Sequence, residues 1–322
     1  MKKVKVENAI GRQLAHDVIR YGPGVKIILF KRGHVITAAD VEGLKDAGNY
    51  SVYITEKREK DVHEDEAATR IAFASAGKNV SYAKPNNGMV GLLAKTPGLL
   101  KVKEDVIKRV NLIDNFVVST KQSNTGVKKG EFLGAVKIIP LTVDEDRMKK
   151  VEEILKRGKP IQVVPPKLNK IGAIITGTEV HNGRVKDAFE PALREKLADY
   201  GLKLRQSIVV PDDEEKIREK ILAFKKRGYE LILVTSGMAV DACDVTPAAI
   251  RKTGAEVISR GIPVFPGSMI MVAYLGGTAI LGLPACVITD KRTSFDLLLP
   301  RVLAKEKISR AELAKMGHGG LL

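Results

Sequence analysis

Tryptophan is missing from this chain, aromatic residues make up only 5%, and cysteine occurs twice, at Cys243 and Cys286. Each shortage excludes something. Two cysteines outside any CxxC spacing cannot build a disulfide framework. A platform on which single-stranded bases stack needs aromatics interleaved with basic residues, and no such stretch occurs. No apolar run approaches the roughly 20 residues of a membrane span. The opening Met1-Lys2-Lys3-Val4-Lys5-Val6 lacks the apolar core of a signal peptide. These absences describe a cytoplasmic protein whose partners include neither membrane nor nucleic acid.

Basic charge is abundant: 54 Lys and Arg against 38 Asp and Glu leave a net +16. Such a balance suits nucleic acid, an acidic membrane surface or a small polyanionic ligand. The lysines are scattered, and Lys57-Arg58-Glu59-Lys60 and Lys225-Lys226-Arg227 read as solvated faces. With 322 residues, 44% of them hydrophobic, the chain has material for two or three domains with substantial cores.

Three regions differ in pattern. Residues 1–57 read as a small β-rich domain with one helix, the strand-like stretches being Val4 to Val6, Val25 to Phe30 and Ser51 to Ile54. Residues 58–166 are mixed α/β, with an alanine-rich helix around Ala67-Ala68, strands near Val117-Val118 and Ala135 to Ile139, and no chemical constellation. This region ends in a proline-rich link, from Lys159-Pro160 to Val164-Pro165-Pro166-Lys167. Residues 167–322 alternate strand and helix, which predicts an α/β fold with a mostly parallel sheet covered on both faces. Ile171 to Ile175 and Leu231 to Val234 are unbroken apolar runs that suit strands buried on both faces. Leu204 to Val210, Glu256 to Ile258 and Ala279 to Leu281 are further strands. Pro191 to Tyr200 reads as a helix, Asp212 as the cap of another reaching Lys226, and Phe295 to Leu303 as a last one, helical at least to Pro300.

In such sheets ligands bind beyond the carboxyl ends of the strands. Three loops meet that rule. Thr176-Gly177-Thr178-Glu179-Val180 follows the first strand and continues through Gly183-Arg184 to Asp187. Residues 235–246 hold Thr235-Ser236-Gly237, the carboxylates Asp241 and Asp244, and Thr246-Pro247, where Thr as N-cap and Pro after it start a helix. Leu283-Pro284-Ala285-Cys286 follows the last strand, with Pro266-Gly267-Ser268 before it. Small residues let backbone approach a ligand, and hydroxyls, glycine amides and a helix N-terminus bind phosphate oxygens. Glu179, Asp187 and Asp244 are candidates to hold a divalent cation. Any one of these loops also looks like an ordinary turn with a helix cap; three at equivalent strand ends favour a site. Cys243 and Cys286 lie in two of them, where a small buried thiol is the common case. His318, between Gly317 and Gly319-Gly320, sits in a tail that reads as a frayed terminus.

From about Lys167 onward the sequence resembles the molybdopterin-binding fold of the molybdenum-cofactor biosynthesis proteins. These include the molybdenumtransferases (MoeA type), the adenylyltransferases (MogA type) and the matching domains of gephyrin. The motifs are T-G-T-E-V with G-R-V-K-D downstream, T-S-G-M-A-V-D-A-C-D-V-T-P, P-G-S and L-G-L-P-A-C. The N-terminal G-R-Q-L-A-H-D-V is similar to the start of the molybdenumtransferases. The resemblance implies a three-layer α/β/α domain preceded by smaller β-rich domains. It implies a pyranopterin dithiolate ligand, often adenylated, with Mg2+ and molybdate, the metal entering the dithiolene as AMP leaves. It further implies a homodimer and a molybdoenzyme as acceptor. Position by position, Glu179, Asp187 and Asp244 fall on catalytic carboxylates, with Glu179 and Asp244 as metal ligands. Thr176, Gly177, Thr178, Thr235, Ser236, Gly237, Met238, Asp241, Thr246, Pro266, Gly267, Ser268 and Pro284 fall on cofactor-binding loops.

The departures are as specific as the matches. Thr178 stands where the transferases have the aspartate of T-G-D-E-L, and Ala188-Phe189 where S-N follows Asp187. Ser236 replaces a glycine, Ala242 an acidic residue, Ser268 the lysine of P-G-K, and Ala285-Cys286 the G-N of G-L-P-G-N-P. Losing a lysine and two carboxylates weakens metal and phosphate binding by several kcal/mol unless something compensates. Two functions follow: insertion of molybdenum into adenylated molybdopterin, or a carrier that hands cofactor to a molybdoenzyme without chemistry.

Overall fold

A computed structural model of the chain describes residues 2–55, 61–235, 238 and 245–322. The chain gathers into two compact units. One holds Met1–Leu93, Val102–Lys121 and Phe132–Gln162, the other Ala94–Lys101, Gln122–Glu131 and Val163–Leu322. Residues 1–57 therefore lie wholly in the first unit, whereas 58–166 is divided between the two.

The second unit is built on a six-stranded sheet. Its order is Leu204–Val210, Ile171–Thr176, Leu231–Thr235, Thr278–Leu283, Met271–Leu275 and Glu256–Arg260. The first four strands run parallel, and Met271–Leu275 alone runs against its neighbours on both sides. The mostly parallel sheet is as expected; the reversed strand is a finding. Its turn is Gly276-Gly277, and Gly276 at φ +60° takes the left-handed conformation that a two-residue hairpin requires.

Side-chain alternation divides the apolar runs between two faces, because successive residues of a strand point to opposite sides. Ala173, Ile175, Leu231, Leu233 and Leu281 pack on one side with Leu193 and Leu197 of helix Phe189–Ala198 and with Phe295, Leu298, Leu299 and Val302 of helix Ser294–Leu303. Ile174, Ile232, Val234 and Ile280 pack on the other with Ile217, Ile221 and Phe224 of helix Glu214–Lys226 and with Ala249 and Ile250 of helix Thr246–Lys252. The result is three layers, helix on sheet on helix. Gly172 is small because the stacked rings of Phe224 and Tyr229, 4.4 Å between centroids, lie directly over it.

Local details correct three expectations and bear out a fourth, the helix at Phe295 to Leu303. The cap of helix Glu214–Lys226 is Asp213, which accepts from the Lys216 amide at 3.0 Å, and not Asp212. The residue before helix Thr246–Lys252 is Val245, and the Thr246 side chain caps nothing. Helix Ser294–Leu303 continues past Pro300, held at its start by a capping box between Thr293 and Asp296. The C-terminal tail is paired, not frayed: the Phe265 amide donates to Gly320 at 2.7 Å and the Leu322 amide to Phe265 at 2.9 Å.

In the first unit, Lys2–Lys5 pairs with Ser51–Ile54, and Val18–Gly22 with Val25–Phe30. A four-stranded sheet has the order Val80–Tyr82, Met89–Ala94, Phe132–Ile138 and Phe116–Thr120. Helices Glu64–Ser75 and Glu145–Gly158 are joined by Arg70, which meets Glu145 at 2.8 Å and Glu152 at 3.0 Å. Among the described residues no helix is long and apolar enough to cross a membrane.

Candidate functional site

The sheet of the second unit places the site. Leu204–Val210 lies on one side of Ile171–Thr176 and Leu231–Thr235 on the other, so the winding reverses between the last two. Sheets of this kind open a crevice at the carboxyl ends on either side of such a reversal. Thr176 and Thr235 stand at those two ends, both buried, and the Thr176 hydroxyl donates to the Thr235 carbonyl at 2.8 Å. That bond ties the roots of the first two loops together.

The first loop leaves the sheet at Gly177, whose φ of +149° a side chain would not tolerate. A Cβ there would also approach the Glu179 carboxylate to 2.9 Å. The loop then forms the short helix Thr178–His181, and both Thr178 and Glu179 are exposed. The Thr178 amide donates to an Asp212 carboxylate oxygen at 2.8 Å and its hydroxyl to the same oxygen at 3.2 Å. The residue that stands in place of the transferases' aspartate is thus bonded to an aspartate from the neighbouring strand end. Glu179 makes no hydrogen bond or ion pair through its carboxylate with another described residue. Asp187 is engaged: its two oxygens accept from the amides of Phe189 (2.8 Å) and Glu190 (3.1 Å), capping helix Phe189–Ala198.

Of the second loop, Ser236, Gly237, Asp241, Cys243 and Asp244 lie outside the described residues. Met238 is buried, its sulfur packed over Gly282 in the core between sheet and helices. The hydroxyls of Thr235 and Thr246, on either side of this loop, are buried with no hydrogen-bond partner among the described residues. Buried polar groups are nearly always paired, so these two orphans call for a partner.

The third loop packs on the start of helix Ser294–Leu303. The Pro266 carbonyl accepts from the Ser294 amide at 3.0 Å and the Gly267 carbonyl from the Ser294 hydroxyl at 2.6 Å. The Ser268 carbonyl accepts from the Ile262 amide at 2.8 Å, and Pro284 begins a turn closed by the Val287 amide at 3.2 Å. Among the described residues no group of three or more His, Cys, Asp or Glu side chains converges as a metal ion would need.

Residues 172–304 match a probable molybdopterin binding domain, and residues 3–56 match a domain of unknown function. The match makes residues 172–304 similar to the molybdopterin-binding domains and covers less than half of the chain. A molybdopterin molybdenumtransferase from Synechococcus elongatus is 30% identical over 111 residues, 32% of this chain and 28% of that protein. A CinA-like protein from Mycobacterium sp. (strain JLS) is 32% identical over 90 residues, 28% of this chain and 21% of that protein. The chain therefore spans less than a third of either relative. Among solved structures, the molybdopterin biosynthesis MoeA protein of Pyrococcus horikosii pairs with 98% of this chain and 76% of its own at 14% identity, with a TM-score of 0.36. The tungsten cofactor synthesizing protein MoaB of Pyrococcus furiosus pairs with 45% and 99% at 18% identity, also at 0.36. Structural likenesses this loose carry no functional detail.

Within this domain, one residue has a place that its sequence context did not disclose. Asp212 looked like a helix cap, yet it joins the first loop; its own position just past the Leu204–Val210 strand was the available signal. Cys286 begins the short helix Cys286–Thr289 and is half-buried. Burial pushes its thiol above the ordinary cysteine value, so it stays protonated near neutral pH and is a poor thiolate nucleophile.

Proposed function

We propose that the protein serves molybdenum-cofactor biosynthesis by binding molybdopterin, free or adenylated, at the carboxyl ends of the 171–176 and 231–235 strands. The observation that carries this reading is the pair of orphaned hydroxyls, Thr235 and Thr246, beside the winding reversal of a domain similar to the molybdopterin-binding ones. An unpaired buried polar group costs about 1–3 kcal/mol, and a ligand atom accepting from either hydroxyl would remove that cost.

In the fuller form of this reading the substrate is the adenylate, molybdate enters the dithiolene, and AMP is released. Glu179 and Asp244 would hold Mg2+, which supplies charge neutralisation for phosphoanhydride cleavage. The unengaged carboxylate of Glu179 fits that role, since Mg2+ is ordinarily held by one or two carboxylates together with phosphate oxygens. The hydroxyls of Thr176 and Thr178 and the amide of Gly177 already donate to the Thr235 carbonyl, to Asp212 and to the Val210 carbonyl, so in this reading they shape the phosphate end without bonding it. A homodimer would complete the assembly.

The alternative is a carrier that delivers the cofactor to a molybdoenzyme. It is favoured by Asp187, whose two oxygens are occupied by a helix N-terminus. Calorimetric titration with molybdopterin and its adenylate, with and without Mg2+, separates the two. Tighter binding of the adenylate, with a gap that Mg2+ widens, supports insertion. Equal, Mg2+-independent binding supports the carrier, and binding of neither ligand overturns both. For insertion, Glu179→Ala should abolish AMP release while molybdopterin binding is largely kept; unchanged turnover would sink that mechanism.

A further inference from the structure

The first unit carries a half-open polar cavity of about 270 Å³. Much of its wall is internally satisfied. Arg32 lies 2.8 Å from His63 Nδ1, which also accepts from the Asp65 amide at 3.2 Å. His63 Nε2 faces the Ala15 carbonyl at 3.2 Å. With one nitrogen accepting and the other facing a carbonyl, His63 is held as the neutral Nε2–H tautomer. Asp65 accepts from the Gly88 amide at 3.1 Å, and one oxygen of Asp17 accepts from the Arg32 amide at 2.7 Å.

Two groups on the wall have no such partners. The Glu64 carboxylate makes no hydrogen bond or ion pair with a described residue, although it is half withdrawn from water. His16 Nδ1 is buried and likewise has no partner among the described residues. Burial disfavours the imidazolium of His16, so the neutral ring is favoured, and its Nε2–H tautomer offers the Nδ1 lone pair to an N–H donor. The unfilled capacity of the cavity is therefore acceptor capacity: Glu64, the second oxygen of Asp17 and His16. Among the described residues, its histidine and carboxylate side chains do not converge in the threes that a metal ion needs. The volume suits a fragment smaller than a nucleotide.

We propose that this cavity binds a small organic cation rich in N–H donors, of the ammonium or guanidinium class, with the Glu64 carboxylate and His16 Nδ1 as its principal acceptors. A cation there compensates a carboxylate that is otherwise desolvated without a hydrogen bond, and a guanidinium pairs with it through two parallel hydrogen bonds. Lys137 and, more weakly, Arg32 attract Glu64 and compete with the ligand for it. The proposal stands independently of the pterin reading, which concerns the other unit.

The test is calorimetric titration of the whole protein near neutral pH with methylguanidinium and methylammonium. Saturable binding of either supports the site, and the tighter of the two identifies the headgroup. Glu64→Gln should weaken binding about tenfold or more. Lys137→Gln should strengthen it, a gain that a folding fault could not produce. Tetramethylammonium has the charge without N–H donors and should not compete. Absence of saturable binding by both probes, an affinity indifferent to Glu64→Gln, or equal competition by tetramethylammonium would each overturn the assignment.

Discussion

At the scale of single residues, what decides a role is whether the polar atoms are already engaged. Asp187 and Asp212 both looked like free carboxylates or simple caps, and each turns out to be bonded to backbone amides. Sequence could not separate Asp212 from Asp213, because adjacent aspartates after a strand are equally good helix caps and tertiary contact selects between them. Nor could it join His16 to Glu64, which are 48 positions apart and meet only through folding. Glu312 shows how an engaged carboxylate reports on pH. The Ser309 amide and hydroxyl, with Arg301 behind them, hold its pKa at about 2. The folded value lies below the unfolded one, so the stabilisation is complete above the ordinary carboxylate range and is lost as pH falls toward 2. An acid titration of stability followed by circular dichroism should show part of its loss in that window. Glu312→Gln should remove this component and lower stability near neutral pH.

At the scale of elements, the runs Ile171–Thr176 and Leu231–Thr235 could be read from sequence because strands buried on both faces are apolar without interruption. The strand Met271–Leu275 is equally apolar, yet it sits so close to Thr278–Leu283 that the pair reads as one long run. The Gly276-Gly277 pair was the sign of a hairpin within it. One helix start was displaced by a residue because two capping candidates, Asp212 and Asp213, compete. Gly172 offers a direct test of the packing. A Cβ there would come within 2.6 Å of Phe224 and 2.9 Å of Tyr229. Gly172→Ala should cost roughly 1–3 kcal/mol, as overpacked cores do, and thermal melts should show a loss of several degrees. An unchanged melting temperature would mean that the stacked ring pair yields freely.

At the scale of the whole molecule, two compact units carry two separate sets of unpaired polar atoms, those of Thr235 and Thr246 in one and of His16 and Glu64 in the other. A ligand stabilises only the part that binds it. Scanning calorimetry should therefore resolve two transitions, one raised by molybdopterin and the other by methylguanidinium. A single transition raised by both would show that the units unfold as one. The +16 charge acts at this scale too. It favours capture of any polyanion at low ionic strength, so ligand titrations need enough salt to screen that background.

The bond between Thr178 and Asp212 has a consequence for how such a chain can change over generations. One carboxylate, that of Asp212, serves two strand ends by accepting from both the amide and the hydroxyl of Thr178. An aspartate restored at 178 would face Asp212 across the distance of a hydrogen bond, where two like charges repel unless a proton or a cation joins them. Neither position is then free to drift alone. Thr178→Asp alone should therefore destabilise the loop, and removing the acid at 212 as well should relieve the repulsion, which thermal melts of the single and double variants would check.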